Sequence, residues 1–436
     1  MAKHDRRYII IEAMGDMPES AGSDWAEAAP PPPPPRTARS MPPPPAFKRF
    51  GVEAAAVPTA RAQPVKLDIQ EHSLSEAQAA EARQSAAPDR PRLVLESMPM
   101  RLIRPASEGD SASAAPLAGD SWGIVATGAD VSTLTGAGVR VAVLDTGIDL
   151  AHPAFAAITS RIEVRDFTSA TGSGHDIDGH GTHCAGTIFG QDVGGRRIGL
   201  ARGIEKALIA KVLADSGQSD TKWLFDAINW AAQEQAQVIS MSLGFDYPGM
   251  VRRLIEDYDF APDAAASEAL VAFAQNLRAF DALIDFLEAQ APFGRDALVV
   301  AASGNESRHT GSQPAAISAG LPSSAEGVEA IGALAQGGAG FTLAPFSNIN
   351  VDLCAPGVGI LSAKAGTTGL TTMSGTSMAC PHVAGIAALW WEQMRSINPR
   401  VSAREVRERL YAAAVADGLP QPYNQTEFGR GRVMAP

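Results

Sequence analysis

Cysteine is scarce: Cys184, Cys354 and Cys380 are the only three in 436 residues. Three thiols cannot build a disulfide framework, and such low usage suits a chain kept in reducing conditions. Basic residues are also in deficit. Lys and Arg number 36 against 48 Asp and Glu, a formal net charge of −12. An acidic surface argues against nucleic acid or an anionic membrane as a partner, because both repel negative charge. Long apolar runs are missing, and none approaches the roughly 18 residues of a membrane span. Near the amino terminus only Tyr8 to Ile11 is apolar, short of the about 7–15 residues of a secretory signal. These absences predict a cytoplasmic protein, with non-classical export left open. Hydrophobic residues still make up 45%, enough for a full globular core.

Proline and glycine divide the chain. Residues 1–120 hold 18 of the 31 prolines but five of the 41 glycines. The runs Pro30–Pro35 and Pro42–Pro45 favour extended polyproline II and resist packing, so about residues 13–62 read as linker-like. Tyr8–Ile11 is a strand candidate. Residues 65–95 read as strand, helix, strand, with Ser73-Leu-Ser-Glu76 as a capping box at the helix start.

From about residue 120 the pattern changes. Val139–Asp145, Ala207–Leu213, Val238–Leu243 and Ala297–Ala302 are short, branched-rich runs, separated by helical stretches such as Thr221–Gln235. Continuous apolar strands alternating with helices indicate a parallel sheet covered on both faces. Chemistry in such sheets collects at the carboxyl ends of the strands. Those ends carry Asp145, Ser242-Leu-Gly244 and Ser303-Gly-Asn305. One segment stands apart: Leu270, Phe273, Leu277, Phe280, Ile284 and Leu287 recur at helical spacing between Pro262 and Pro292. Residues 246–297 hold ten acidic and four basic residues. They read as a surface helix, or more sharply as an acidic rim favouring basic substrates.

Three glycine-rich clusters supply an acid, an imidazole and a hydroxyl: Leu144-Asp-Thr-Gly-Ile-Asp149, Gly179-His-Gly-Thr-His-Cys-Ala-Gly186 and Met373-Ser-Gly-Thr-Ser-Met-Ala-Cys-Pro-His382. A serine hydroxyl is a poor nucleophile until an imidazole takes its proton, and the imidazole needs a carboxylate to fix its tautomer. The order Asp145, His180, Ser377 differs from the chymotrypsin and α/β-hydrolase orders. Asp145-Thr-Gly, His180-Gly-Thr-His, Ser303-Gly-Asn305 and Gly375-Thr-Ser-Met-Ala together resemble the subtilisin-like serine protease family, with a proteinase K-like cysteine in the histidine motif. The resemblance runs from about Trp122 to Gly431. It implies an α/β, three-layer subtilisin-like fold with a mainly parallel sheet, preceded by the Pro-rich N-terminal region. It divides the chain into residues 1–118, with a propeptide, and 119–436, the peptidase domain with a helical insertion at about 246–296.

The resemblance also implies roles. Asp145 orients the imidazole, His180 is the general base and acid, and Ser377 is the nucleophile of a serine endopeptidase acting through an acyl-enzyme. Asn305 and the backbone N–H of Ser377 form the oxyanion hole. Ser216-Gly217-Gln218 and Ser242-Leu243-Gly244 are the strand edges that pair with an extended protein or peptide substrate. Gly304 and Gly244 line the pocket for the residue before the scissile bond. Ser377 is expected at a helix amino end, where Pro381 falls in the turn that needs no N–H donor. The N-terminal region is expected as an intramolecular inhibitor, with 98–104 entering the cleft and a new terminus arising between about residues 104 and 120.

Competing readings explain less. Turns and caps alone account for Asp145 and Ser377 singly but not for four motifs in one order. His180-x-x-His183 lacks the Glu of a zinc helix, so no metal is assigned. Residues 191–197 are not a convincing carboxylate cage, which leaves structural calcium open and no other cofactor expected. The lack of Gly-x-Ser-x-Gly around Ser377 disfavours an α/β-hydrolase, and His180 disfavours a sedolisin-type peptidase. A peptide-binding scaffold without activity would be expected to lack a triad member. Cys184 and Cys380 read as buried neighbours of the site, close enough for thiol reagents to crowd it.

Overall fold

A computed structural model describes residues 5–14, 66–85, 92–109, 121–169, 171–216, 218–338 and 340–436. The expected linker at about 13–62 lies almost wholly outside them. The N-terminal unit comprises β1 (Arg6–Met14), β2 (Lys66–Leu74), α1 (Glu76–Gln84) and β3 (Arg92–Glu96). Its antiparallel sheet has the order β2-β1-β3. One face of β1 buries Ile9, Ile11 and Ala13, and the other packs Tyr8 on Ala79 of α1, as alternating side chains allow. The capping box sits two residues later than expected: Ser75 accepts from Gln78, whose side chain returns to the Ser75 backbone. Two short strands, β4 (Pro99–Leu102) and β5 (Ser107–Gly109), continue from this unit.

The larger unit follows as α2 (Trp122–Ala126), β6 (Arg140–Asp145), α3 (Pro153–Ala156), β7 (Ile162–Asp166), α4 (His180–Phe189), β8 (Lys206–Lys211), β9 (Gln218–Asp220), α5 (Thr221–Gln233), β10 (Val238–Met241) and β11 (Leu243–Phe245). Next come the paired helices α6 (Tyr247–Glu256) and α7 (Pro262–Ala289), then β12 (Leu298–Ala302), β13 (Val328–Gly337), β14 (Gly340–Leu343), β15 (Leu353–Pro356), β16 (Ile360–Ala363) and β17 (Leu370–Ser374). The chain ends in α8 (Thr376–Ile397), α9 (Ala403–Ala413) and α10 (Gln425–Phe428). None of the helices in the described residues is long and apolar enough to cross a membrane.

The main sheet runs β14-β13-β12-β10-β6-β8-β7, with β15 also on β13, and every pairing but β13–β14 is parallel. All four expected strands are present in it. One face packs on α4 and α8 through residues such as Val143, Val300, Ala384 and Ala387. The other packs on α5 and the carboxyl half of α7 through Leu144, Phe225, Ile239, Phe280 and Leu283. Helices on both faces are what continuous apolar strands require.

α7 departs from the expected single stripe. Phe280, Ile284 and Leu287 are buried, but Leu270 is exposed. In the amino half, Ala265, Ala269 and Ala272 face inward instead, against Met250 and Leu254 of α6. Small residues let two helix backbones come close, so the buried face there follows alanine.

Candidate active site

The three clusters converge at the carboxyl ends of the sheet strands. Asp145 ends β6, His180 opens α4, and Ser377 is the second residue of α8. His180 Nδ1 lies 2.8 Å from Asp145 Oδ1. Cys184 Sγ touches both His180 Nδ1, at 3.8 Å, and the Ser377 carbonyl, at 3.4 Å. The imidazole helix and the serine helix therefore meet at one thiol. Asp145, His180 and Ser377 are 1%, 0% and 0% exposed.

Local structure fixes these positions. Thr146, beside Asp145, accepts the Gly181 N–H at 2.8 Å and donates to Asp176 Oδ1 at 2.8 Å. Asp176 also accepts from the Gly179 and Thr182 backbone and from the Thr182 hydroxyl. This network clamps the first turn of α4 to the end of β6. Asp176 precedes His180 in His-Asp-Ile-Asp-Gly-His, a signal that the motif reading did not use. Gly181 is needed because a Cβ there would fall against the Gly147 carbonyl oxygen.

Burial pushes the His180 pKa down, but the adjacent Asp145 carboxylate outweighs it, and the value lies well above the usual 6.5. His183 behaves oppositely. Its Nε2 donates to the Ile360 carbonyl, 2.9 Å away, and burial lowers its pKa to about 3. It remains a neutral packing residue.

Ser377 lies at the helix amino end, but Pro381 is not in the free first turn. Its missing N–H would have paired with the carbonyl four residues back, that of Ser377. That oxygen is served instead by Ser242 Oγ at 3.3 Å and Cys184 Sγ. The side chain of Ser242 thus supports the serine helix, a placement that the substrate-edge reading did not foresee.

An extended strand already crosses the site. β4 lies antiparallel between β11 and β9, with Arg101 opposite Gly244 and Gln218 and with Leu102 opposite Leu243. The first expected edge lies further along than Ser216–Gln218: pairing begins at Gln218 and runs to Asp220. Ser216 lines the adjoining cleft, and Gly217 lies outside the described residues. Ile103, buried, comes within contact range of the Gly244 α-carbon face, since a Cβ built there would meet its Cγ1 at 3.6 Å. Gly304 takes a conformation that favours glycine. Its φ of +113° and the closeness of Asn348 and Glu306 show a left-handed turn packed against those side chains.

The serine and the amide grip successive carbonyls. Ser377 Oγ donates to the Ile103 carbonyl at 3.0 Å, and Asn305 Nδ2 donates to the Arg104 carbonyl at 2.9 Å. Asn305 is aimed by Thr376, whose N–H and hydroxyl both donate to Asn305 Oδ1, at 2.9 and 3.0 Å. His180 Nε2, buried, has no hydrogen-bond partner. The Ala106 N–H then donates to the Ser374 carbonyl, and β5 pairs with β17, so residues 99–109 traverse the cleft from end to end. Arg101 faces Glu306 at 3.2 Å and Asp246 at 3.9 Å, and Arg104 faces Asp178 at 3.6 Å.

Among the described residues, one cluster has metal-ligand spacing, Asp145, His180 and Cys184, and it is the site itself. Burial, partly offset by His180, pushes the Cys184 thiol up to about 11.

A parallel α/β sheet carrying an Asp–His pair, an amide and a helix-borne serine at its strand ends defines the subtilisin-like class of serine proteases. The chain belongs to the subtilase family, the serine endopeptidases with an Asp–His–Ser triad, whose model matches residues 136–431. It is 32% identical to M-protease of Shouchella clausii over 72% of this chain and 68% of that protein. Against Subtilisin Savinase of Lederbergia lenta the identity is 32% over 72% of this chain and 96% of the relative. A cuticle-degrading serine protease of Arthrobotrys oligospora is 33% identical over 59% of this chain and 53% of its own length. The chain spans about half the length of the cuticle-degrading relatives that it matches. The cytoplasmic expectation is corrected by these relatives, two of which are named for degrading a cuticle, a task outside the cell. Few cysteines and a short apolar stretch were too weak a basis for a compartment.

Proposed function

We propose that this chain hydrolyses peptide bonds of protein substrates with Ser377 as nucleophile, His180 as base and Asp145 as orienting acid, and that its own residues 99–109 hold the cleft beforehand. In the neutral ring, formed as pH rises through its raised pKa, the Nδ1 proton is directed to Asp145 and the Nε2 lone pair of His180 is free to take the Ser377 proton. The serine oxygen then bonds to the carbonyl carbon, and the carbonyl oxygen gains negative charge. The Asn305 amide and the Ser377 N–H, at the positive end of α8, stabilise that oxygen. Nε2 returns the proton to the leaving nitrogen as the C–N bond breaks, leaving an acyl-serine. Water repeats the sequence and releases the acid.

The observation that carries this reading is the Ser377 hydroxyl on the carbonyl of a strand clamped between two edges. The hydroxyl donates to the Ile103 carbonyl and not to His180, while the Asn305 amide engages the next carbonyl. Such an arrangement supports a bound, unreacted peptide. The bond under the serine is Ile103–Arg104; its cleavage, which requires the Ile103 oxygen to move into the Asn305 hole now holding the Arg104 oxygen, would leave Arg104 as a new terminus within the expected window. The following bond has a proline nitrogen as its leaving group and offers no N–H.

Incubating wild type and Ser377→Ala with an unfolded protein and mapping the cleaved bonds tests the activity. Cleavage by wild type alone is expected; equal cleavage by both would remove Ser377. Mass spectrometry of the active protein should find Arg104 first. A terminus at Pro105 would make the Arg104 carbonyl the one attacked, and an active full-length chain would contradict self-processing.

A further inference from the structure

The strand in the cleft is held over a longer stretch than its pairing with β9 and β11 accounts for. The Asp246 N–H donates to the Pro99 carbonyl at 2.9 Å. One residue earlier the Thr221 hydroxyl, fully buried, accepts the Met98 N–H and donates to the Met98 carbonyl, both at 3.0 Å. Arg253 of α6 donates to the Ser97 carbonyl at 2.6 Å. The Met98 side chain is fully buried and packs with Met250 and Leu254 of α6 and with Ala265, Ala269 and Ala272 of α7. Apart from Met98 itself, the apolar residues of this cluster all lie between Phe245 and Phe273. The seat for Met98 is therefore built by the peptidase unit, from the helices inserted just after the β11 edge.

We propose that this seat is a substrate subsite, which takes a methionine or leucine side chain six residues before the cut when a substrate replaces the chain's own strand. The inference deepens the proteolytic reading and rests on it: with Ile103 as the residue before the scissile bond, Met98 stands sixth. Backbone hydrogen bonds along an edge accept almost any sequence, so selectivity has to come from pockets. Here the Thr221 hydroxyl, by accepting and donating on one residue, fixes that residue's backbone and so the direction of its side chain. The three alanines leave room beside Met250 and Leu254, and a flexible thioether or a leucine fills irregular apolar space of this kind. A serine in the same place would bury a hydroxyl and leave part of the seat empty, and both are unfavourable. The inserted helices thus lengthen the stretch of substrate that the cleft reads.

Peptides of the cleft sequence test this with the wild type once it has become active. One peptide begins at Met100. Two begin at Ser97 and carry either methionine or serine in the place of Met98. The long methionine peptide should be cut with a kcat/KM at least about tenfold above its serine counterpart, a factor that burial of one such side chain can supply. Ala269→Leu, which fills the seat, should bring the two within about twofold of each other. If that variant fails to fold, Met250→Ala removes one wall instead and should reduce the ratio about threefold or more. Leu270→Arg, on the exposed side of α7, should leave the ratio as in the wild type. Equal rates for the two long peptides in the wild type, or a preference that neither Ala269→Leu nor Met250→Ala reduces, would overturn the subsite, while cutting of the peptide that begins at Met100 would still support the protease. Failure to cut all three peptides would overturn the proteolytic reading and the subsite with it.

Discussion

Pro381 and Ser377 stand one helical turn apart, and the proline's missing N–H hands the Ser377 carbonyl to Ser242 Oγ at 3.3 Å. Ser242→Ala removes one of the two partners of a buried oxygen. A loss of about 1 kcal/mol in stability is expected, with KM nearly unchanged because the side chain faces α8. Chemical denaturation and steady-state kinetics check this; a large rise in KM alone would return Ser242 to the substrate edge.

Asn305→Ala should lower turnover by roughly 10²–10³, the magnitude measured for the corresponding donor in subtilisin, which is borrowed here from a relative. KM should change little, since the amide acts on charge that develops during reaction. Thr376→Val should give a smaller fall in turnover, because Thr376 aims Asn305 through its hydroxyl while its N–H is kept.

The His180 pKa is opposed by burial and raised by Asp145, with the net value above 6.5. A folded-state value above the unfolded one means that folding favours the imidazolium. The stability it adds is complete below pH 6.5 and is lost as pH rises through the folded value. In Ser377→Ala, ring resonances should show His180 protonated above pH 6.5, and adding Asp145→Asn should move its titration down. A titration unmoved by that change would separate the two residues.

Arg101 meets Glu306 and Asp246 in a partly solvated setting. Such pairs contribute about 0–1 kcal/mol, so Glu306→Gln with Asp246→Asn should reduce kcat/KM by about fivefold or less for peptides with arginine three residues before the cut. Peptides with alanine there should be unaffected. Equal effects on both would dismiss a charge preference.

Much of this was legible in the sequence because each motif combines a turn that needs glycine with a group that needs a strand or helix end. The four parallel strands followed from those constraints, whereas the roles of Asp145, His180, Asn305 and Ser377 followed from the resemblance that their motifs carry. What escaped depends on contacts between distant segments. The Asp176 clamp, the aiming of Asn305 by Thr376 and the tie from Ser242 to the serine helix have no local periodicity. α7 was read as one stripe because its amino half buries alanine, which a search for large apolar residues passes over.

Reaction with a fluorophosphonate, followed by peptide mapping of the protein freed of its N-terminal unit, tests the catalytic constellation most directly. The added mass should fall on Ser377 in wild type and vanish in His180→Ala. A folded wild-type protein that stays unlabelled, or that carries the mass on another residue, would contradict the assignment.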